Sequence, residues 1–282
     1  MIVAQITDLH IGFDGPDAPC KNTARLKLAL KELLSQSVKP DLLLITGDLV
    51  ENAENWAYEN LRKLLQTLNI PYYLAMGNHD DREAFLKHFP ETKINDGFVQ
   101  YTIEGHPLRI IVLDTLKPGY HGGGFCERRA EWLSKQLSQQ PEKPTLIAMH
   151  HPPIETGIAW MTTSNDAPWV KRLKGVLDKH DNVVQIISGH IHRRITQKFS
   201  TSIVSVSGAI APQVKLDLAP LAPDTPDGRT LLVEGPVEYC LHQWNGHVLT
   251  SHAALAPQGR PIVHFDEAHA FIVPHTLDLA KK

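Results

Sequence analysis

Asp41-Leu42-Leu43-Leu44-Ile45-Thr46-Gly47-Asp48 is the stretch whose reading decides the fold. Four consecutive aliphatic residues lead through Thr46 to a glycine, a run too short for a helix and too continuous for a strand with one wet face. The run predicts a strand over 41–46 buried on both faces, the mark of a sheet covered by helices. On either side lie helical patterns. Leu26, Leu30, Leu33 and Leu34 share a face over 22–36, and Ala57, Leu61, Leu64, Leu65 and Leu68 form a stripe over 54–69. Further strands are expected at 2–6 and, after Pro71, at 71–76, and a short helix near 81–88. Beyond these come strands 98–103 and 108–114, helix 127–139 with Ala130, Leu133 and Leu137 together, strand 145–149, helix 167–179 and strand 183–188. Strand–helix alternation implies crossovers and parallel pairing, hence an α/β protein with sheet inside and helices outside. After 193 the pattern changes, and 193–199, 202–207, 229–243 and 246–253 read as successive antiparallel strands. The Pro- and Asp-rich stretch 216–228 reads as a long loop or lobe boundary.

The 282 residues suit one large domain, or one with an appended lobe. Hydrophobic residues make up 42% and charged residues 21%, ordinary globular usage that provides a substantial core. A net charge of −3 offers no basic field for nucleic acid. Met1 to Thr7 runs straight into a strand without a charged leader and apolar segment, so no secretory signal is expected. No apolar run approaches the roughly 18–20 residues of a membrane span. Cys20, Cys126 and Cys240 lie far apart, against a disulfide framework or thiolate zinc, and the expected setting is a reducing cytoplasm.

The 16 histidines exceed ordinary usage without forming a tag-like run, so their positions matter. Strand 2–6 runs out into Asp8-Leu9-His10 and strand 41–46 into Gly47-Asp48. Strand 71–76 leads into Gly77-Asn78-His79-Asp80, strand 145–149 into His150-His151-Pro152, and strand 183–188 into Gly189-His190-Ile191-His192. In an open α/β sheet the ligand crevice lies beyond the carboxyl ends of the strands. Residues i and i+2 of an extended segment point to one side, which would aim Asp8 with His10, and His190 with His192, at one pocket. The glycines at 47, 77 and 189 would let the backbone turn sharply.

Singly, these signals are bland. Asp8-x-His10 is an ordinary strand end, Gly47-Asp48 an ordinary turn, and His150-His151 an ordinary surface or supporting pair. Together, each following a strand, they require five coincidences under a purely structural reading. Asp8, His10, Asp48, Asn78, His150, His190 and His192 are the candidate ligands, more than one metal normally takes. With one bridging carboxylate they supply two ions, and oxygen and imidazole donors suit iron, manganese, cobalt or zinc. Two adjacent ions can clamp an in-line displacement at phosphorus. His151 is expected behind His150. His88, His106, His180, His264, His269 and His275 read as surface residues, whereas His121, His242, His247 and His252 are open candidates for a pocket wall. Loops near 12–22, 117–125, 154–168 and 211–228 would shape that pocket, and Gly122-Gly123-Gly124 reads as a flexible loop.

The series Asp8-x-His10, Gly47-Asp48, Gly77-Asn78-His79-Asp80, His150 and Gly189-His190-x-His192 resembles the calcineurin-like metallophosphoesterases over roughly residues 1–195. His150-His151-Pro152-Pro153, and Asp80 where Glu is common elsewhere, most resemble bacterial class III cyclic-nucleotide phosphodiesterases and related glycerophosphodiesterases. The resemblance implies a four-layer α/β/β/α sandwich of mixed sheets, with a catalytic core over 1–210. Residues 211–282 would then complete the domain, as a cap or as a contact in a homodimer or larger homo-oligomer. It further implies Asp8, His10 and His192 on one metal, Asn78, His150 and His190 on a second, and Asp48 bridging and catalytic. His79, with Asn78, would meet the substrate phosphate and serve catalysis. The activity implied is hydrolysis of a small phosphodiester, such as a cyclic nucleotide or a glycerophosphodiester, by a hydroxide shared between the ions. One departure bears on substrate: some glycerophosphodiesterase relatives place a pocket His after the last ligands, where this chain reads Ser207-Gly208-Ala209-Ile210-Ala211-Pro212-Gln213. Rival readings are a phosphomonoesterase or nuclease of the same fold, a mononuclear zinc hydrolase, and a non-catalytic metal-binding relative.

Overall fold

Leu42, Leu43, Leu44 and Ile45 are each at most 1% exposed, buried on both faces as the aliphatic run requires. A computed structural model describes residues 1–18 and 20–277. The first half runs β1 (Ile2–Ile6), α1 (Lys21–Leu34), β2 (Leu42–Thr46), α2 (Asn55–Leu65), β3 (Tyr72–Ala75) and α3 (Arg82–His88). Next come β4 (Tyr101–Ile103), β5 (Arg109–Val112), α4 (Glu127–Gln139), β6 (Thr145–Ala148), α5 (Pro168–Leu177) and β7 (Val183–Ser188). The rest is β8 (Ile195–Phe199), β9 (Ser202–Val206), β10 (Gln213–Val214), β11 (Leu232–Val233), β12 (Val237–Trp244) and β13 (Leu249–Ala256).

Two mixed sheets face each other. One has the order β13-β12-β1-β2-β3, the other β4-β5-β6-β7-β9-β8, and β10 and β11 form a separate ribbon. β1, β2 and β3 pair in parallel, as do β5, β6 and β7. Alternation along the second sheet divides its side chains. Ile110, Val112, Leu146, Ala148 and Ile187 join the core shared with the first sheet, while Ile111, Leu113, Ile147, Met149 and Ile186 pack with α4 and α5. With α1 and α2 on the far side of the first sheet, the layers are α/β/β/α.

Several expectations need correction. The late strands do not form one antiparallel succession. β9 pairs in parallel with β7, and the chain then crosses to the other sheet, where β12 pairs antiparallel with β1 and β13. The expected strand 229–243 divides at Glu234-Gly235-Pro236, because proline has no N–H to donate to a ladder. Its neighbour begins at Leu249 rather than 246, after the Asn245-Gly246 turn. A short helix over Ile272–Thr276 had no periodic signal.

His242, a pocket candidate from sequence, lies fully buried between the sheets. It meets Gln5 Oε1 at 3.0 Å and Ser251 Oγ at 2.7 Å, and Gln5 Nε2 in turn donates to the Ser188 carbonyl of β7 at 3.0 Å. Burial, with the nearby His252, pushes His242 down to about 4, so it is neutral in the folded protein. As pH falls below about 6.5 the unfolded chain takes up a proton that the folded chain refuses, and stability is lost until the pH reaches about 4. In urea melts, His242→Gln should therefore lose about 2 kcal/mol less stability than the native chain between pH 7 and pH 5; equal losses would refute a neutral buried role for His242.

Candidate metal centre

Each predicted site residue follows the carboxyl end of β1, β2, β3, β6 or β7, and the structure brings all seven candidate ligands to one cleft between the sheets. The route differs from the extended geometry expected. Asp8, His10, Asp48, His190 and His192 have φ of 53°, 44°, 48°, 72° and 51°, in the left-handed region. For non-glycine residues this costs about 1–2 kcal/mol each, so surrounding bonds must enforce it. Asp8 N donates to Gly47 O, and Leu9 N and His10 N both donate to Asp48 O. His190 N donates to the Asp8 carboxylate at 3.0 Å, and Ala211 N to Asp8 O.

The expected sharp turns hold for Gly47, whose φ is +96°, but Gly77 serves another purpose. A Cβ there would stand 2.1 Å from Asp48 Oδ1 and 2.3 Å from Asp48 N. Gly77 is a glycine because the loops after β2 and β3 touch.

Hydrogen bonds on the outer ring nitrogens set how the inner ones behave. His150 Nδ1–H donates to Thr46 O at 2.8 Å, and His192 Nδ1–H to Pro212 O at 2.6 Å. His10 Nδ1 pairs with Glu51 Oε2 at 2.6 Å. In the neutral rings Nε2 is then a bare acceptor. These acceptors converge on other acceptors. His150 Nε2 lies 3.2 Å from both Asp48 Oδ2 and Asn78 Oδ1. His10 Nε2 lies 3.2 Å from His192 Nε2 and 3.5 Å from Asp48 Oδ2, and His192 Nε2 is 3.3 Å from Asp8 Oδ1. Buried lone pairs face one another in this way only if positive charge lies between them. Ligands about 2.0–2.2 Å from one ion are spaced like this, so the donor set fits metal.

Ligating atoms of Asp8, His10, Asp48 and His192 all fall within 4.8 Å of one another, as do those of His150, His151 and His190. His151 is better read as support, because both its ring nitrogens are engaged, with Thr115 Oγ1 at 2.8 Å and the His121 carbonyl at 3.1 Å. Asp48 Oδ2 stands between the two groups, facing His10 and His150, while Oδ1 accepts the His79 N–H at 2.9 Å.

In the chain alone, protons supply part of the missing positive charge. Burial opposes ionisation of Asp48, yet His150 and His10 hold its carboxyl well below the usual range. Asp8 is lowered likewise by His192 and His150 against the pull of burial. Burial works to lower His150, but Asp48 and Asp8 lift it to about 9. His190, buried beside His150, falls to about 3.

His79 is half-buried beside His10, with ring centroids 4.5 Å apart, and its Nδ1–H is donated to the Glu51 carbonyl at 2.8 Å. It lines a cavity of about 170 Å³ with Asn78, Asp48, His10, His190 and His192. The rest of its wall is mostly apolar, including Phe13, Trp160, Met161, Pro212, Val214 and Leu232. Each of the four predicted loops contributes to this cavity, and among the described residues no lysine or arginine lines it. Of the open histidine candidates only His121 lines it; His247 and His252 are exposed elsewhere. His88, His106, His180, His264 and His269 lie away from it, and the side chain of His275 lies outside those described.

Sequence reasoning missed Glu51, the carbonyls of Thr46 and Pro212, and the role of Asp80. Backbone carbonyls leave no trace in side-chain identity, and Glu51 follows its strand without a motif. Asp80 is buried and accepts from Gly77 N at 2.9 Å, Leu49 N at 3.2 Å and the Tyr58 hydroxyl at 3.0 Å, tying the β2 and β3 loops together. Burial and the nearby Asp48 push it up to about 7.

The fold agrees with comparison to known proteins. The chain belongs to the calcineurin-like phosphoesterase family, whose family model matches residues 1–194. It is 33% identical over 259 residues to a probable glycerophosphodiester phosphodiesterase of Arcobacter nitrofigilis, covering 90% of this chain and 93% of the relative. It is 32% identical to a probable cyclic nucleotide phosphodiesterase of Rhodopseudomonas palustris, covering 82% and 89%. In fold it resembles a dimetal phosphatase from Danio rerio, with a TM-score of 0.58 at 15% identity, covering 89% of this chain and 98% of that one.

Two substitutions test the supporting groups. Glu51→Gln keeps an acceptor for His10 but removes its charge, and should weaken metal binding about 10- to 100-fold in calorimetry. Gly77→Ala should lower metal content more severely, by driving a methyl into Asp48; full metal loading in that variant would contradict the close approach.

Proposed function

We propose that this protein is a dinuclear-metal phosphodiesterase that hydrolyses small phosphodiesters. The observation that carries the reading is the convergence of buried acceptors on two adjacent points that share Asp48 Oδ2. Asp8, His10 and His192 would hold one ion, Asn78, His150 and His190 the other, and Asp48 would belong to both. Oxygen and imidazole donors suit iron, manganese, cobalt or zinc. Once bound, such a pair supplies Lewis acidity and lowers the pKa of a water toward neutrality.

The chain's own groups do the rest. Asn78 Nδ2 and His79 face the cavity where the phosphoryl group would bind. With its Nδ1–H given to the Glu51 carbonyl, His79 can hold a second proton at Nε2 and pass it to the departing alkoxide. The apolar wall accommodates an organic substituent of the diester. A diester carries one negative charge, whereas a monoester dianion or a nucleic acid strand would call for cationic side chains, and none lines this cavity among the described residues.

The names of the relatives support both a cyclic nucleotide and a glycerophosphodiester as substrate classes. The stretch Ser207 to Gln213 carries no histidine and lends Ala211 and Pro212 to the cavity wall, which counts against the glycerophosphodiester. Residues 1–210 form the catalytic core in this reading. β12 lies between β1 and β13, which supports 211–282 as the segment completing the domain, and edge strand β13 is the surface offered to a second copy. Cys20, Cys126 and Cys240 are free thiols, in keeping with a reducing cytoplasm. No helix among the described residues is long and apolar enough to cross a membrane.

Metal content and bis(4-nitrophenyl) phosphate turnover should be measured together. Asp48→Ala should abolish both, and near-native turnover would sink the assignment. His79→Ala should keep two metals per chain while kcat falls about 10²- to 10⁴-fold.

A further inference from the structure

Asn78 presents its amide to two histidines at once. Oδ1 lies 3.2 Å from His150 Nε2, and Nδ2 lies 3.2 Å from His121 Nδ1. An amide nitrogen only donates, so His121 Nδ1 is the acceptor and the neutral imidazole carries its proton on Nε2. His121 lines the same cavity as His79, with ring centroids 5.7 Å apart, edge to face.

His121 lies at the exposed lip, yet its loop is anchored. The His121 carbonyl accepts from His151 Nε2 at 3.1 Å, and His151 Nδ1 accepts from Thr115 Oγ1 at 2.8 Å. Gly124 N donates to Thr115 O at 2.9 Å. A Cβ on Gly123 would stand 2.8 Å from His151 Cβ, so this glycine permits close packing. The Gly122-Gly123-Gly124 run is thus no slack linker, and buried His151 holds the rim that carries His121.

We propose that His121 is a second substrate-contacting imidazole, whose Nε2–H donates to a phosphoryl oxygen of the diester beside His79. The inference rests on the function proposed above. With no lysine or arginine among the described residues of the cavity wall, imidazole and amide groups are the donors this side of the cavity offers a phosphoryl oxygen. A donor whose direction is fixed by Asn78 meets the phosphoryl oxygen in a set geometry, without reorganisation when the diester binds. Asn78 thereby works twice, its oxygen turned toward His150 and its nitrogen setting the tautomer of His121.

The test uses zinc-loaded full-length protein. Long-range ¹H–¹⁵N spectra should show His121 protonated at Nε2 and perturbed on adding inorganic phosphate. Calorimetry with inorganic phosphate and turnover of bis(4-nitrophenyl) phosphate are then compared for the native chain, His121→Ala and His121→Gln. The alanine variant should keep its metal content, bind phosphate about tenfold more weakly and show a KM raised about tenfold with kcat little changed. Glutamine, whose amide restores a donor, should recover much of the loss. Unchanged phosphate affinity in the alanine variant at equal metal content would overturn the contact. Loss of metal in that variant would overturn it in favour of a role in positioning Asn78. A native chain without metal and without turnover would refute the phosphodiesterase reading itself, and this contact with it.

Discussion

The charge of Asp48 has to be compensated inside the protein. Its carboxylate is 2% exposed, and a buried anion without partners is too costly for a folded chain to carry. One oxygen accepts the backbone N–H of His79, and the other faces His10 and His150. Its carbonyl meanwhile receives the N–H groups of Leu9 and His10. One residue therefore joins the loops after β1, β2, β3 and β6. Shifting any of these loops would unpair the carboxylate, so the two sheets are held in register at the edge where chemistry takes place.

The same constraint explains the backbone strain. Five of the seven candidate ligands adopt left-handed φ values. Only three other non-glycine residues among those described do so: Ala53, Asp96 and Ser200. Strain gathers where side chains must converge, and it is sustained by the rigid parallel strands behind it. The aliphatic core of β1, β2, β6 and β7 contributes no donor to the cleft, yet it keeps those turns from relaxing to more comfortable conformations.

A second layer gives the centre its directionality. The carbonyls of Thr46 and Pro212, with Glu51, take the Nδ1 protons of His150, His192 and His10. In its neutral form each ring is left with one defined tautomer and an inward lone pair. Asp80 braces two of the loops from behind, and His151 braces the rim. Without these groups the same seven side chains would be mobile acids and bases at a sheet edge.

The sequence by itself determined the layered α/β class and the candidate ligands. Both rest on short-range signals: continuous aliphatic runs such as Leu42 to Ile45, and polar residues immediately after them. It placed Asp8, His10, Asp48, Asn78, His79, His150, His190 and His192 at strand ends because strand ends can be read locally. It did not contain in readable form the left-handed turns, since nothing in Asp8-x-His10 distinguishes that conformation from an extended one. Only the tertiary structure decided that β12 returns to pair with β1, that His242 is core while His121 is rim, and that Gly77 yields space to Asp48. These depend on contacts between residues tens to hundreds of positions apart, and on backbone carbonyls that every residue carries alike, so side-chain identity leaves no local record of them.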